Sequence, residues 1–87
     1  MDSYKIEWKR SAIKELKALP KDIVSRIVSA IGQLSMNPYP HGVKKLSGSE
    51  HTYRIRQGSY RVVYSVTKAT SVVEVVRIAH RKDVYDR

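Results

Sequence analysis

Residues 53–64 read Tyr53-Arg54-Ile55-Arg56-Gln57-Gly58-Ser59-Tyr60-Arg61-Val62-Val63-Tyr64. Side chains of an extended strand alternate between two faces, so Tyr53 and Ile55 fall on one side and Arg54 and Arg56 on the other. Gly58 can take positive φ, which lets Gly58-Ser59 turn the chain between two strands, Tyr53–Gln57 and Tyr60–Val66. Tyr60 and Tyr64 share parity on the second strand and are expected to pack inward. A further break at Lys68-Ala69-Thr70 leads to Val72–Ala79, whose β-branched residues suit another strand. The apolar face of this sheet needs a cover, and its cationic face is left available.

The cover lies upstream. Tyr4, Ile6 and Trp8 alternate with Lys5, Glu7 and Lys9, which predicts a short, half-buried strand with Trp8 in the core. Ser11 is a candidate N-cap for a helix carrying Ile13, Leu16 and Leu19 on one side. Pro20 suits the first turn of a second helix. There Ile23, Ile27, Ala30, Ile31 and Leu34 recur at helical spacing, with Lys21, Arg26, Ser29 and Gln33 outside. Pro38 and Pro40 cannot continue that helix, so it should stop before Asn37. The order β-α-α-β-β-β predicts an α+β fold: a mostly antiparallel sheet with a helix hairpin packed on one face. Residues 1–87 are read as a single domain.

Composition narrows the chemistry. The chain carries 17 Lys/Arg against 8 Asp/Glu, a net charge of +9. The excess is uneven: residues 1–43 contribute +3 and residues 44–87 contribute +6. Such a surplus favours polyanionic partners, whose phosphates supply a salt-dependent share of the affinity. A solvated basic surface, or one covered by an acidic protein, would also accommodate it. No cysteine is present, which removes disulfides and thiolate chemistry and fits a reducing cytoplasm. The first seven residues are charged and lack the apolar run of a signal peptide. The apolar-rich stretch from Val72 to Ile78 contains Glu74 and Arg77 and is far short of the roughly 20 residues that span a bilayer. A soluble, cytoplasmic protein with no membrane partner is expected.

Several reaction classes find no support. His41, His51 and His80 have no short metal-ligand spacing, and no carboxylate cluster joins them. The four glycines are scattered, so no phosphate loop exists, and no serine stands in a nucleophile elbow. Neither a metal nor another cofactor is expected. A basic, metal-free site suits RNA, because RNA brings its own nucleophile in the 2′-hydroxyl. The protein must then help remove that proton, stabilise the pentavalent phosphate and protonate the leaving 5′-oxygen. Arginine suits the second task, since its rigid fork matches phosphate oxygens and stays charged. Tyrosine can stack on a base, and histidine is the usual proton carrier near neutral pH.

Four segments carry a resemblance: Lys44-Lys45-Leu46, Tyr53-Arg54-Ile55-Arg56, Gly58-Ser59-Tyr60-Arg61-Val62-Val63-Tyr64 and His80-Arg81-Lys82-Asp83-Val84-Tyr85. Together with the strand, the helix pair and Pro20 before them, they resemble the RelE branch of the RelE/ParE toxins over nearly the whole chain. The resemblance implies a toxin of a type II toxin–antitoxin pair that cleaves messenger RNA in the ribosomal A site. Attack by the 2′-hydroxyl would leave a 2′,3′-cyclic phosphate, and a cognate, RelB-like antitoxin would silence the toxin. It implies that Arg61 stabilises the transition-state phosphate and that Arg81 serves the leaving group or binds phosphate. Tyr85 would stack on the substrate base and help take the 2′-proton. Lys44 and Lys45 would be phosphate contacts contributing affinity.

Arg54 and Arg56 stand where well-studied members have a lysine pair, which keeps the charge but not the chemistry. A lysine can lose its proton when its pKa is lowered, and an arginine in effect cannot. His80 stands where a lysine is found, and the interval from Arg81 to Tyr85 is two residues shorter. His80 is thus a candidate acid–base group, the alternatives being that it points into the sheet or only contacts phosphate. Two rival readings remain open. One is the ParE branch, which poisons DNA gyrase; the other is a nucleic-acid-binding module without catalysis.

Overall fold

The computed structural model describes residues 3–80. Its elements follow the order β1 (Lys5–Trp8), α1 (Arg10–Lys17), α2 (Lys21–Gln33), β2 (Lys44–Lys45), β3 (Thr52–Gln57), β4 (Tyr60–Thr67) and β5 (Val72–His80). The strands form one sheet in the order β1-β5-β4-β3-β2. All neighbours are antiparallel except β1 and β5, which run parallel from Lys5↔Val72 to Trp8↔Val75. The expected α+β architecture is thus present, with one strand more than the alternation of the sequence indicated. That strand, β2, is only two residues long and has no hydrophobic alternation to announce it.

The two helices cover one face. Ile27 and Ile31 of α2, Leu34 at its C-cap and Ala12 of α1 meet Ile55, Val62, Tyr64, Val66, Val73, Val75 and Ile78 in a continuous buried cluster. Leu16, Leu19, Ile23, Trp8, Tyr53 and Tyr60 pack against it from the rim. The Tyr64 hydroxyl donates a 2.6 Å hydrogen bond to the Pro38 carbonyl, which ties the proline turn to the core. That turn is opened by Asn37, whose side-chain oxygen accepts from the Tyr39 N–H at 3.0 Å. Gly58 takes φ 61 in the β3–β4 turn, as its place in the sequence requires.

Three local expectations are corrected. Ser11 is not an N-cap: α1 already begins at Arg10, after Lys9. The Lys9 N–H donates to the Val75 carbonyl at 2.9 Å, so the strand ends there and the N-cap falls on Lys9, ahead of Ser11. As a result Ala12, fully buried, faces the sheet and Ile13 is 36% exposed. Pro20 occupies the N-cap of α2, with ψ 150, rather than its first turn.

A bulge decides the direction of the last strand. Val63 pairs with Arg77 and Tyr64 pairs with Val75, leaving Val76 as an extra residue. Before it, odd-numbered Val73 and Val75 face the core; after it, even-numbered Ile78 does. Among the described residues no helix is long and apolar enough to cross a membrane.

Candidate functional site

The sheet face opposite the helices carries the arginines. Residues paired across an antiparallel ladder share a face, and the register pairs Lys44 with Arg54 and Arg56 with Arg61. These four side chains, with Gly42, line a hollow of about 260 Å³. Gly42 has φ 87, a conformation that side-chain-bearing residues rarely adopt, and it lets the loop entering β2 border the hollow. No carboxylate lines the hollow among the described residues.

The cations differ in depth. Arg54 is 7% exposed and forms the inner wall, whereas Lys44 and Arg56 are exposed at the mouth. Arg61 lies between these extremes, and its Nε is buried with no hydrogen-bond partner among the described residues. Burial, then Arg61, then Arg56 hold the Arg54 guanidinium below its ordinary pKa. An arginine so placed remains charged near neutrality, so the free protein bears the cost of gathering like charges. A dianionic or bridging phosphate would offset that cost with charge-assisted hydrogen bonds.

The other expected residues are distributed differently. Lys45 pairs with Tyr53 and so belongs to the opposite parity from Lys44, away from the hollow. His80 follows the bulge on the same parity as Ile78, on the helix-covered face. Its ring meets the edge of Tyr60 at 5.4 Å between centroids, beside a separate hollow that Glu15, Leu19 and Arg77 help to line. Arg61 is paired with Ala79, the neighbour of His80, so the two side chains leave the sheet on opposite sides. Arg81 and Tyr85 lie outside the described residues.

Two features escaped the sequence reading. Tyr39, Tyr53 and Tyr64 form an aromatic chain, with centroids 5.1 and 6.1 Å apart, and Lys68 sits 5.4 Å from the Tyr39 centroid. The parity of Tyr53 and Tyr64 carried half of that signal; Tyr39 joins them only through the proline turn. The second feature is Glu15, whose carboxylate accepts the Ile78 N–H at 2.8 Å. Its signal was a charged residue on the inward side of α1, between Ala12 and Leu19. Among the described residues no three His, Asp or Glu side chains gather in a way that could hold a metal ion.

A family model described as the ParE toxin of the type II toxin–antitoxin system parDE matches residues 6–85. The chain belongs to this toxin family. Its sequence is 34% identical over 86 residues to toxin RelE3 of Methanocaldococcus jannaschii, covering 94% of this chain and 96% of that protein. Toxin RelG of Mycobacterium tuberculosis is 31% identical over 85 residues, covering 97% and 98%. The toxin in the RelE–RelB complex of Pyrococcus horikoshii superposes with a TM-score of 0.83 at 30% identity, covering 94% of this chain and 99% of that one. The isolated RelE toxin of Escherichia coli, at 24% identity and a TM-score of 0.80, shares the fold. The chain is a RelE-like toxin, and the arginine-lined hollow lies on the face of the sheet opposite the helices.

Proposed function

We propose that this RelE-like toxin is a metal-independent endoribonuclease that cleaves messenger RNA in the ribosomal A site. The observation that carries the proposal is the hollow formed by Lys44, Arg54, Arg56 and Arg61, whose lining side chains among the described residues are all cationic and which is large enough to admit a phosphate. The 2′-hydroxyl loses its proton and its oxygen attacks the adjacent phosphorus. The bond from phosphorus to the 5′-oxygen breaks, and that oxygen leaves with a proton as a hydroxyl. The products are a 2′,3′-cyclic phosphate and a 5′-hydroxyl end.

In this scheme Arg61 stabilises the pentavalent phosphate, and its Nε, buried with no hydrogen-bond partner among the described residues, leaves the guanidinium with donor capacity to spare. Arg54 holds the inner phosphate oxygen, while Lys44 and Arg56 bind the flanking backbone. Arg81 and Tyr85 keep the roles that the resemblance implies, at the leaving group and on the base. The scheme gives no proton to His80, whose ring packs against Tyr60 on the other face. The hollow therefore supplies charge and little acid–base capacity. Dependence on the ribosome follows, because orientation of the substrate is a catalytic term of several kcal/mol on its own, up to about 7–11 in well-oriented reactions. Such a protein acts in the cytoplasm, where it meets translating ribosomes.

A RelB-like antitoxin is the proposed partner, supported by the relatives from Pyrococcus horikoshii and Methanococcus jannaschii crystallised as complexes with RelB. The name of the matching family favours one second reading, inhibition of DNA gyrase. Primer extension on messenger from translating ribosomes separates the two. Codon-positioned cuts that vanish in Arg61→Ala and Arg81→Ala variants support the nuclease. Intact messenger with trapped gyrase cleavage complexes would replace it with the gyrase reading.

A further inference from the structure

The ladder between β2 and β3 is cut short by the loop that precedes it. Lys44 and Lys45 pair with Arg54 and Tyr53, but the Val43 N–H turns back to the Pro40 carbonyl at 3.1 Å, and Gly42 takes φ 87. Antiparallel pairing carried further would have set Val43 opposite Ile55 and Gly42 opposite Arg56. Instead the chain bends away. Among the described residues β3 therefore has no strand beside it on that edge from Ile55 to Gln57. A second hollow, of about 370 Å³, opens between this stretch of β3, the turn and the C-terminal end of α2.

It adjoins the cationic hollow, because Gly42 and Arg56 line both. The two are chemically unlike. Buried Leu34 and Ile55 and half-buried Pro40 give the second hollow apolar walls, and Gln33, Gln57 and His41 supply polar groups. An apolar pocket of a few hundred Å³ with a few polar side chains is the usual form of a small-ligand site. A carboxamide offers both donors and an acceptor, so it matches the edge of a nucleobase better than a phosphate. The helix favours the same ligand. Gln33 ends α2 and Leu34 caps it, and the C-terminal end of a helix carries partial negative charge. That field opposes a phosphate and suits the amino group of a base. A nucleotide meets both hollows at once, its phosphate among the cations and its unstacked base in the apolar slot.

We infer that the hollow beside Arg56 is a base subsite: it receives the base of a messenger nucleotide adjoining the phosphate in the cationic hollow, and Gln33 and Gln57 read its edge. This rests on the nuclease reading, in which that phosphate is the one cleaved. Leu34, Pro40 and Ile55 take the base out of water, and Arg56 stands where base and backbone meet. The favoured base presents an amino donor beside a ring acceptor, as adenine does to a glutamine amide and as cytosine also can.

The test is ribosome-dependent cleavage by the full chain on a messenger library randomised at the A-site codon. Sequencing the cut ends gives the relative rate for each base beside the cut. Wild type should cut beside adenine or cytosine in preference. Gln33→Ala and Gln57→Ala should each reduce that preference at least about fivefold, the discrimination of a weak amide–base pair. Lys44→Ala, at the mouth of the cationic hollow, should slow cutting beside every base alike and keep the profile. The readout is a ratio within one sample, so partial unfolding does not move it, and if one glutamine variant fails to fold the other decides. An unchanged base profile in the glutamine variants, or a wild-type profile with no preference beside the cut, would overturn the inference and leave the nuclease reading standing. So would glutamine variants that keep their profile but escape the antitoxin, which would make the hollow a protein contact. A wild-type chain that cuts no messenger on ribosomes would overturn both.

Discussion

The two faces of the sheet are made by the same strands, and they solve opposite problems. On the helix-covered face, Ile55, Val62, Tyr64, Val66, Val73 and Val75 are shielded from water, and the buried Tyr64 hydroxyl has its acceptor. On the other face, Arg54, Arg56, Arg61 and Lys44 are brought together with no carboxylate among the described residues lining their hollow. One face is satisfied by the fold itself. The other gathers like charges among the described residues, which folding alone gives no reason to do. Residues that stabilise and the residues proposed to act are therefore separable by side of the sheet, although they alternate along each strand.

The largest effect expected from this division is on the covered face. Tyr64→Ala should lower the unfolding free energy by about 3–5 kcal/mol in urea titrations, the range for deleting a buried aromatic. Arg61→Ala should leave that stability unchanged or slightly raised while slowing single-turnover messenger cleavage by about 10²–10³-fold, the loss typical of one preorganised donor. A large drop in stability for Arg61→Ala would break the separation of the faces.

A smaller effect is expected for Tyr64→Phe, which leaves the Pro38 carbonyl without its donor and should cost about 1–3 kcal/mol. This variant also has a pH signature. Burial, with Tyr39 and Tyr53 nearby, pushes the Tyr64 phenol above its ordinary value of 10.0. The unfolded chain then ionises first as pH rises past that value, so the folded state loses stability at alkaline pH by up to about 1.4 kcal/mol per pH unit. Below it the contribution is fully present. Melting curves from pH 8 to about 11 should fall less steeply for Tyr64→Phe than for wild type. The smallest effect belongs to the mouth of the hollow. Arg56→Gln removes one of two like charges directly opposed across β3 and β4 and should raise stability by about 0.2–1 kcal/mol at low salt, with the gain shrinking as salt is added.

Most of the architecture was legible because it is periodic. The strand alternation at Tyr4–Trp8 and Tyr53–Val66, the helical spacing from Ile23 to Leu34, and the stop at Pro38 all read directly into elements. The failures were local or long-range. Ser11 looked like a cap, but the helix start was set by a strand partner, Val75, far along the chain. Strict alternation from Val72 would have put His80 on the side opposite Val73 and Val75, with the arginines. The bulge at Val76 reverses that, and nothing in a run of β-branched residues marks where a bulge falls. Alternation did place Arg54 and Arg56 on one face. The two-residue Gly58-Ser59 turn sets Arg61 opposite Arg56, but alternation could not reveal that Arg54 would be the buried one, because burial depends on the strands and loops around it. Lys44 and Lys45 likewise looked equivalent until pairing with β3 divided them.

The sheet order has a consequence for the birth of the molecule. β5 lies between β1 and β4, so among the described residues the first strand to be made finds its partner in the last of the five. During synthesis the N-terminal strand must wait, unpaired, while α1, α2 and the β2–β4 meander emerge. Pairings this distant in sequence carry a large loop-closure cost and form late. The fold is thus kept incomplete until β5 has been made and can enter the sheet between β1 and β4.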